Sequence, residues 1–148
     1  MTRVDLLAFM RDHKMAVQAS VSSSGAPQAA VVGIVVTDEL EIFFDTLATS
    51  RKAKNLRGNA RVALVISGPG KGEERTVQYE GVADEPAGTE LARLKDLYFR
   101  HFPDGRDRET LPEIAYIRVT PKWIRYSDFS RSPWDIVEFD FDPGSPQI

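Results

Sequence analysis

Short segments with an apolar residue at every second position recur through this 148-residue chain and leave little room for long helices. In "MAVQASVS", for example, Met15, Val17, Ala19 and Val21 alternate with Ala and polar residues, a pattern typical of a half-buried β-strand. Clusters of glycine, proline and serine such as "SSGAP" follow the segments and predict hairpin turns. Short strands joined by hairpins, with few crossovers, predict a mainly β fold: a small closed antiparallel barrel capped by helices.

Three segments with helical spacing interrupt these strands. Residues 3–12 and the segment "TELARLKDLYFRHF" each have an apolar stripe on one face, and a short basic helix begins near Ser50. The predicted strands are residues 15–22, 27–36, 40–46, 60–67, 74–85, 112–120 and 122–129, followed by a strand-like "DIVEFDF". Pro121 separates the last two full strands, since proline cannot donate to a strand ladder.

Composition excludes several classes of protein. A chain of 148 residues suffices for one hydrophobic core, so we expect residues 1–148 to form a single domain, with about 128–148 as a tail on the barrel or on a partner subunit. With 42% hydrophobic and 28% charged residues and no long apolar run, we expect no membrane span and a cytoplasmic location. The net charge of −3 gives no electrostatic indication of nucleic-acid binding.

Cysteine and histidine chemistry is limited. The sequence has no cysteine, which excludes disulfides, thiolate metal sites and cysteine nucleophiles. Its two histidines, His13 and His101, have no partner at metal-ligand spacing and no nucleophile-elbow motif beside them. We therefore predict no metal site and assign no catalytic residue.

The predicted helix that begins at Ser50 lacks the expected charge. A helix N-terminus has unpaired N–H groups and a partial positive charge, so acidic residues stabilise its first turn. Here the first turn contains Arg51 and Lys52, and no Glu or Gln follows at capping-box spacing. Free N–H groups, hydroxyls and two cations predict a bound phosphate, whereas the alternative is a solvated basic helix face.

Two glycine patterns have simpler alternatives. "GPGKGEE" lacks the Ser or Thr and the following helix of a phosphate-binding P-loop, and is interpreted as a flexible hairpin loop. Gly33, inside a predicted strand, indicates either a bulge or a close approach by a ligand or another chain.

The surroundings of the basic helix resemble a known family. An aromatic-rich strand ends at Thr46, Ser50-Arg51-Lys52 follow, and "NLRGNARVALVI" closes the helix and opens the next strand. This arrangement resembles the pyridoxamine 5′-phosphate oxidase family, also called the FMN-binding split barrels, from the first helix to about Tyr126. The resemblance implies a six-stranded antiparallel split barrel of Greek-key type and a homodimer that holds two FMN molecules at the subunit interface.

The resemblance also implies roles for residues around the basic helix. Arg51 and Lys52 would pair with the FMN phosphate, while Ser50 and Thr46 would donate hydroxyl hydrogen bonds. Asp45 would lie beside them. The phosphate would then supply the anion that the helix start lacks.

Further cofactor contacts follow from the same resemblance. The flavin ring would lie along the strand from Gln28 to Gly33, and Thr76 stands where the family often has a flavin-contacting Gln. Trp123, with Arg125 behind it, is the candidate aromatic residue that reaches the cofactor from the partner subunit. A tryptophan in a strand can equally belong to the core.

Departures from the family pattern limit the expected activity. Gln28 and Gly33 stand where the oxidase has an Arg and a Lys, and residues 122–139 contain no histidine for the oxidase's late Arg–His substrate motif. We therefore expect a flavoprotein oxidoreductase that does not form pyridoxal phosphate, with an unknown small-molecule substrate.

Three alternatives remain open from the sequence. The protein could bind flavin without turnover, as a stress or redox-sensing module. A related deazaflavin cofactor could use the same two cations, whereas haem, which needs an axial ligand, ranks last because only two histidines are available. The third alternative is a barrel whose basic helix binds nothing.

Overall fold

The protein is described by a computed structural model of residues 1–67 and 73–141. The predicted "GPGKGEE" loop falls mainly on residues 68–72, outside the described residues. The helices are α1 (Arg3–Arg11), α2 (Arg51–Gly58), α3 (Gly88–His101) and α4 (Gly105–Arg108). The strands are β1 (Met15–Val21), β2 (Pro27–Gly33), β3 (Val35–Val36), β4 (Ile42–Leu47), β5 (Arg61–Ser67), β6 (Arg75–Asp84), β7 (Ile114–Asp128) and β8 (Asp135–Asp140). The three predicted helices are confirmed, and the four-residue α4 is an addition.

The strands form one curled antiparallel sheet in the order β2-β1-β5-β6-β7-β4-β3, with β8 paired to β7. The mainly β class is confirmed, but the predicted number of six strands is wrong, because the described residues contain eight. The apolar segment 27–36 divides at Ile34 into β2 and β3, and the acidic tail adds β8. None of the helices in the described ranges is both long and apolar enough to cross a membrane.

Pro121 does not end a strand, contrary to the sequence prediction. It lies inside β7 opposite Gly81, where the register between β6 and β7 shifts after Glu80. A Cβ atom at Gly81 would lie 2.5 Å from the carbonyl oxygen of Thr120, so only glycine permits this approach of the two strands. Consecutive residues of β6 pair here with Trp123 and Pro121, so Lys122 is an extra residue in β7, and this bulge accommodates the proline that a regular ladder would reject.

Strand β1 has the reverse of the usual burial pattern. Its polar residues Gln18 and Ser20 are buried, whereas Met15 and Val17 are exposed. Helix α2 packs on β1, and its Asn55 Nδ2 donates a 3.0 Å hydrogen bond to Ser20 Oγ. Polar groups therefore lie between β1 and α2, and the apolar face of β1 is exposed on the outer side of the sheet.

The main core lies on the inner side of the curled sheet, under α1 and α3. Its largest fully buried side chains include Tyr79, Phe43, Phe44, Leu6 and Met10. Burial of these side chains supplies the main driving force for folding. The start of α2 lies at the end of the sheet that carries β2, at the edge of this core.

Candidate functional site

Helix α2 begins as the sequence predicts. Ser50 is its N-cap in an extended conformation, and its Oγ accepts a 3.2 Å hydrogen bond from Ala53 N. The first turn contains no acidic residue. Thr46, at the end of β4, places Oγ1 3.1 Å from Ser50 Oγ and accepts a 3.1 Å hydrogen bond from Lys52 Nζ. Two hydroxyls and an ammonium group therefore meet at a positive helix end.

Arg51 is oriented by the neighbouring strand β2. Its Nε donates a 3.0 Å hydrogen bond to Gln28 Oε1, which also accepts a 2.9 Å bond from Asn55 Nδ2. Within the described residues neither Arg51 nor Lys52 forms an ion pair with a carboxylate. The terminal amino groups of the guanidinium are thus available to an anion, which Arg binds in a forked, two-point geometry.

A cavity of about 350 Å³ opens beside these cations. It is lined by Gln18, Ser20, Pro27, Gln28, Ala29, Ala30, Arg51 and Lys52. A second cavity of about 730 Å³ lies on the outer face of the sheet, around Trp123, Arg61 and Lys122. The two cavities share Ser20 and Pro27 and are therefore adjacent.

Asp45 is not brought to the cations. Adjacent strand residues point to opposite faces, and Asp45 therefore faces away from Thr46. Its carboxylate accepts a 2.8 Å hydrogen bond from Arg108 Nε and a 3.1 Å bond from Tyr98 OH. Burial raises the pKa of the Tyr98 phenol, with the charge of Asp45 as the second cause. Asp45 is engaged in joining β4 to α3 and α4.

Gly33 makes its close approach within the chain. A Cβ atom at this position would lie 2.9 Å from the Phe102 ring, at the end of α3. The ring also stacks on Tyr98 at a centroid distance of 4.9 Å. Packing of the same chain thus accounts for the glycine, with no ligand needed.

Thr76 and Trp123 lie far along the sheet from α2. Thr76 Oγ1 donates a 3.4 Å hydrogen bond to the carbonyl of Ile66, on the neighbouring strand. Trp123 Nε1 donates a 3.2 Å bond to Glu138 Oε2, and the Arg125 guanidinium lies 5.4 Å from the centre of its ring. Trp123 is four strands from β2, roughly 19 Å along the sheet at ~4.8 Å per strand.

Sequence reasoning missed three polar residues on the inner side of this site: Gln18, Ser20 and Asn55. Gln18 and Ser20 lie on the face of β1 opposite its apolar residues, and Asn55 lies on α2, one turn after Arg51. The available signal was the presence of Gln18 and Ser20 at alternate positions of one strand, opposite the apolar set. That spacing places both side chains on one face.

These features define a mainly β protein with a curled antiparallel sheet, at whose edge a helix begins with two cations that have no carboxylate partner among the described residues. The family model described as pyridoxamine 5′-phosphate oxidase matches residues 5–128, and the chain belongs to this family. The predicted family resemblance is therefore confirmed.

Comparison with individual proteins gives the following relatives. The chain is 34% identical over 113 residues to the pyridoxine/pyridoxamine 5′-phosphate oxidase of Bordetella avium (strain 197N). The match covers 70% of this chain and 51% of that protein. The chain thus spans about half the length of this curated relative.

Solved structures of low identity share the fold. A heme binding protein from Mycobacterium smegmatis superposes with a TM-score of 0.76 at 17% identity, covering 88% of this chain and 56% of that one. A pyridoxamine 5′-phosphate oxidase-related, FMN binding protein from Nostoc punctiforme superposes with a TM-score of 0.68 at 10% identity. The superposition covers 95% of this chain and 87% of that one. Proteins with this fold thus include both FMN and heme binders by description.

Proposed function

We propose that this protein is a homodimeric FMN-binding flavoprotein and an oxidoreductase that does not form pyridoxal phosphate. The observation that carries the proposal is the start of α2, where Arg51 and Lys52 stand without a carboxylate partner among the described residues beside a cavity of about 350 Å³. A phosphate monoester between them would pair with both cations and accept from the helix N–H groups. FMN carries such a phosphate.

Strand β2 is suited to bind the rest of the cofactor. It lies at the end of the sheet and pairs only with β1 in the described part of the chain. The outer edge of such a strand presents backbone N–H and C=O groups that a ligand can use. We assign the flavin ring to this edge, between Gln28 and Gly33.

The chain's role in the reaction is to bind and orient. Bound FMN would accept or donate hydride, and the protein would position the ring and exclude water. No catalytic acid–base dyad is needed, and none is proposed here.

A second copy of the chain would cover the outer face of the sheet. Val31, Val17 and Val65 lie side by side on three adjacent strands and are 61%, 41% and 45% exposed. Such an apolar row is typical of a protein–protein interface. Because Trp123 lies four strands from β2, we assign it a cofactor contact only across this interface.

The site argues against the family's named reaction. The oxidase that the chain resembles has a Lys where Gly33 stands. Any side chain at this position would collide with Phe102, so the lysine and the present packing of α3 are mutually exclusive without movement of that ring. Recognition of a second phosphate, on the substrate, would therefore need other groups.

Haem remains the weakest alternative, although a fold relative is described as heme binding. His13 and His101 both line one cavity of about 50 Å³, too small for a porphyrin. His13 places Nδ1 2.9 Å from the carbonyl oxygen of Phe9, in the preceding helix α1, and His101 places Nδ1 3.0 Å from that of Leu97, in its own helix α3. A deazaflavin could use the same phosphate site as FMN.

The test is an absorption spectrum of the purified protein after desalting, with FMN, deazaflavin and haem added in turn. We expect flavin bands that stay with the parent protein and are lost from Arg51→Ala/Lys52→Ala. Lys54→Ala is the matched control, since it removes a cation from the same helix outside the cavity with Arg51. FMN binding equal in parent and double variant would overturn the assignment.

Turnover is tested separately. Rapid reduction of bound flavin by NADPH or NADH would support the oxidoreductase. A flavin that stays oxidised with either donor would favour the flavin-binding or redox-sensing alternative with the same site.

A further inference from the structure

Asn55 joins helix α2 to two strands of the sheet. Its Nδ2 donates a 3.0 Å hydrogen bond to Ser20 Oγ on β1 and a 2.9 Å bond to Gln28 Oε1 on β2. Ser20 and Gln28 are paired in the register of these two strands, so a single amide group spans a cross-strand pair. The acceptors lie 35 and 27 positions from Asn55 in the sequence, and only the fold brings the three residues together.

The chemistry of Arg51 fixes the direction of these hydrogen bonds. Arg51 Nε lies 3.0 Å from the side-chain amide of Gln28, and a guanidinium can only donate. The Gln28 atom at this position is therefore the oxygen. Because the same oxygen meets the Asn55 amide, Asn55 must present its NH2 group there. A rotated amide at position 55 would place one acceptor against another.

Burial decreases along this series of hydrogen bonds. Ser20 is 2% exposed, and Asn55 and Gln28 are half-buried. Arg51 is exposed and has no carboxylate partner among the described residues. A long exposed side chain loses rotational freedom when it binds a ligand, and this loss weakens binding unless the side chain is already held. Asn55 anchors Gln28, and Gln28 in turn holds Arg51.

We propose that Asn55 is a positioning residue for anion binding, which orders the Arg51 guanidinium through Gln28. The inference rests on the proposed function and adds to it a residue that sets affinity without lining the cavity of Arg51 and Lys52. Lys52 is held separately, because its Nζ donates a 3.1 Å hydrogen bond to Thr46 Oγ1. Asn55 therefore acts on one of the two cations and leaves the other unaffected.

The first measurement needs no ligand. The Nε–H signal of Arg51, assigned by its loss from the spectrum of Arg51→Ala, is followed by 15N relaxation in the ligand-free protein. We expect an ordered Arg51 Nε–H in the parent and a mobile one in Asn55→Leu, since leucine has the branched shape of asparagine without its hydrogen-bonding groups. Asn59→Leu is the matched control, because it makes the same change at the exposed C-cap of α2 and should leave Arg51 ordered.

The second measurement is a pair of double-mutant cycles with FMN. We expect Asn55→Leu to bind FMN about fivefold more weakly than the parent, and Asn59→Leu to bind it like the parent. Added to Arg51→Ala, Asn55→Leu should cause no further loss, because the side chain that it orders is gone. Added to Lys52→Ala, it should cause the full loss of about fivefold.

Several results would overturn the inference. A mobile Arg51 Nε–H in the ligand-free parent does so without any variant. An equal loss of affinity in the Arg51→Ala and Lys52→Ala backgrounds also does so, since a general disturbance of α2 affects both cations alike. Parental affinity in Asn55→Leu together with a loss in Arg51→Ala removes the inference alone, whereas parental affinity in Arg51→Ala removes the proposed function as well.

Discussion

Arg51 Nε donates a 3.0 Å hydrogen bond to Gln28 Oε1, and this contact joins the start of α2 to the edge strand β2. The two residues are 23 positions apart in sequence. Gln28 holds the guanidinium through a neutral oxygen, so the positive charge of Arg51 stays uncompensated. A neutral partner at this position is what an anion site requires.

Gln28→Glu is expected to abolish FMN retention. The carboxylate would form an ion pair with Arg51 and repel the cofactor phosphate, which together should weaken binding by at least ~100-fold. Gln28→Leu, which removes the hydrogen bonds without adding charge, should weaken it by only about tenfold. Titration with FMN at constant ionic strength measures both. Equal losses in the two variants would mean that charge at position 28 is irrelevant.

Ser50→Asp is expected to separate stability from binding. Aspartate is a good N-cap, and its negative charge interacts favourably with the positive end of the helix dipole and with the two neighbouring cations, so the ligand-free protein should gain about 0.3–1 kcal/mol. The same charge competes with phosphate, so FMN affinity should fall. Thermal unfolding with and without FMN measures both effects. A variant that gains stability and retains parental affinity would argue that the phosphate lies elsewhere.

Asp45→Asn is expected to lower stability without affecting the cofactor. Asp45 is only 10% exposed at its side chain and accepts from Arg108 and Tyr98. Loss of its charge leaves Arg108 without this partner, which should cost about 2 kcal/mol. Chemical denaturation measures the loss and FMN titration the affinity. A weakened FMN affinity would instead place Asp45 in the site, as the family resemblance implies.

The tail strand β8 predicts a pH dependence. The hydrogen bond from Arg125, followed by that from Trp123, lowers the pKa of Glu138 from its ordinary value of 4.5. A carboxylate whose pKa is lower in the folded state than in the unfolded state stabilises the fold at pH values above its unfolded-state pKa. For Glu138 this contribution disappears as the pH falls from 4.5 through the folded-state pKa.

The Tm difference between the parent and Glu138→Gln measures this contribution. It should be constant between about pH 6 and 8 and disappear in acid below the folded-state pKa. Trp123 fluorescence in a Trp134→Phe background should change over the same range, since Trp123 Nε1 donates to Glu138. A Tm difference that persists in acid would assign the effect to packing.

Val31→Lys is expected to dissociate the proposed dimer and weaken FMN binding with it. A lysine in the apolar row with Val17 and Val65 would place a charge in the interface. Val4→Lys is the matched control, since Val4 is also exposed but lies on α1. Sedimentation velocity measures the state of assembly. A Val31→Lys protein that remains a dimer would place the interface on another surface.

The start of α2 could be predicted from the sequence because its determinants are local. An N-cap hydrogen bond joins residues three apart, here Ser50 and Ala53, and the missing acidic residue is visible in the same turn. The alternation of the strands likewise depends on a two-residue period, so strand positions and the mainly β class followed from the sequence. The opposite directions of Asp45 and Thr46 follow from the same period.

Contacts between distant segments could not be predicted in this way. Phe102 meets Gly33, which lies 69 positions earlier in the sequence, and the register shift opposite Pro121 depends on Gly81 in another strand. Which face of β1 is buried depends on α2, whose Asn55 gives Ser20 a partner. By itself the sequence determined where cations, caps and strands lie. Only the tertiary structure decided which groups meet, because packing and cross-strand hydrogen bonds join residues that have no local spacing in common.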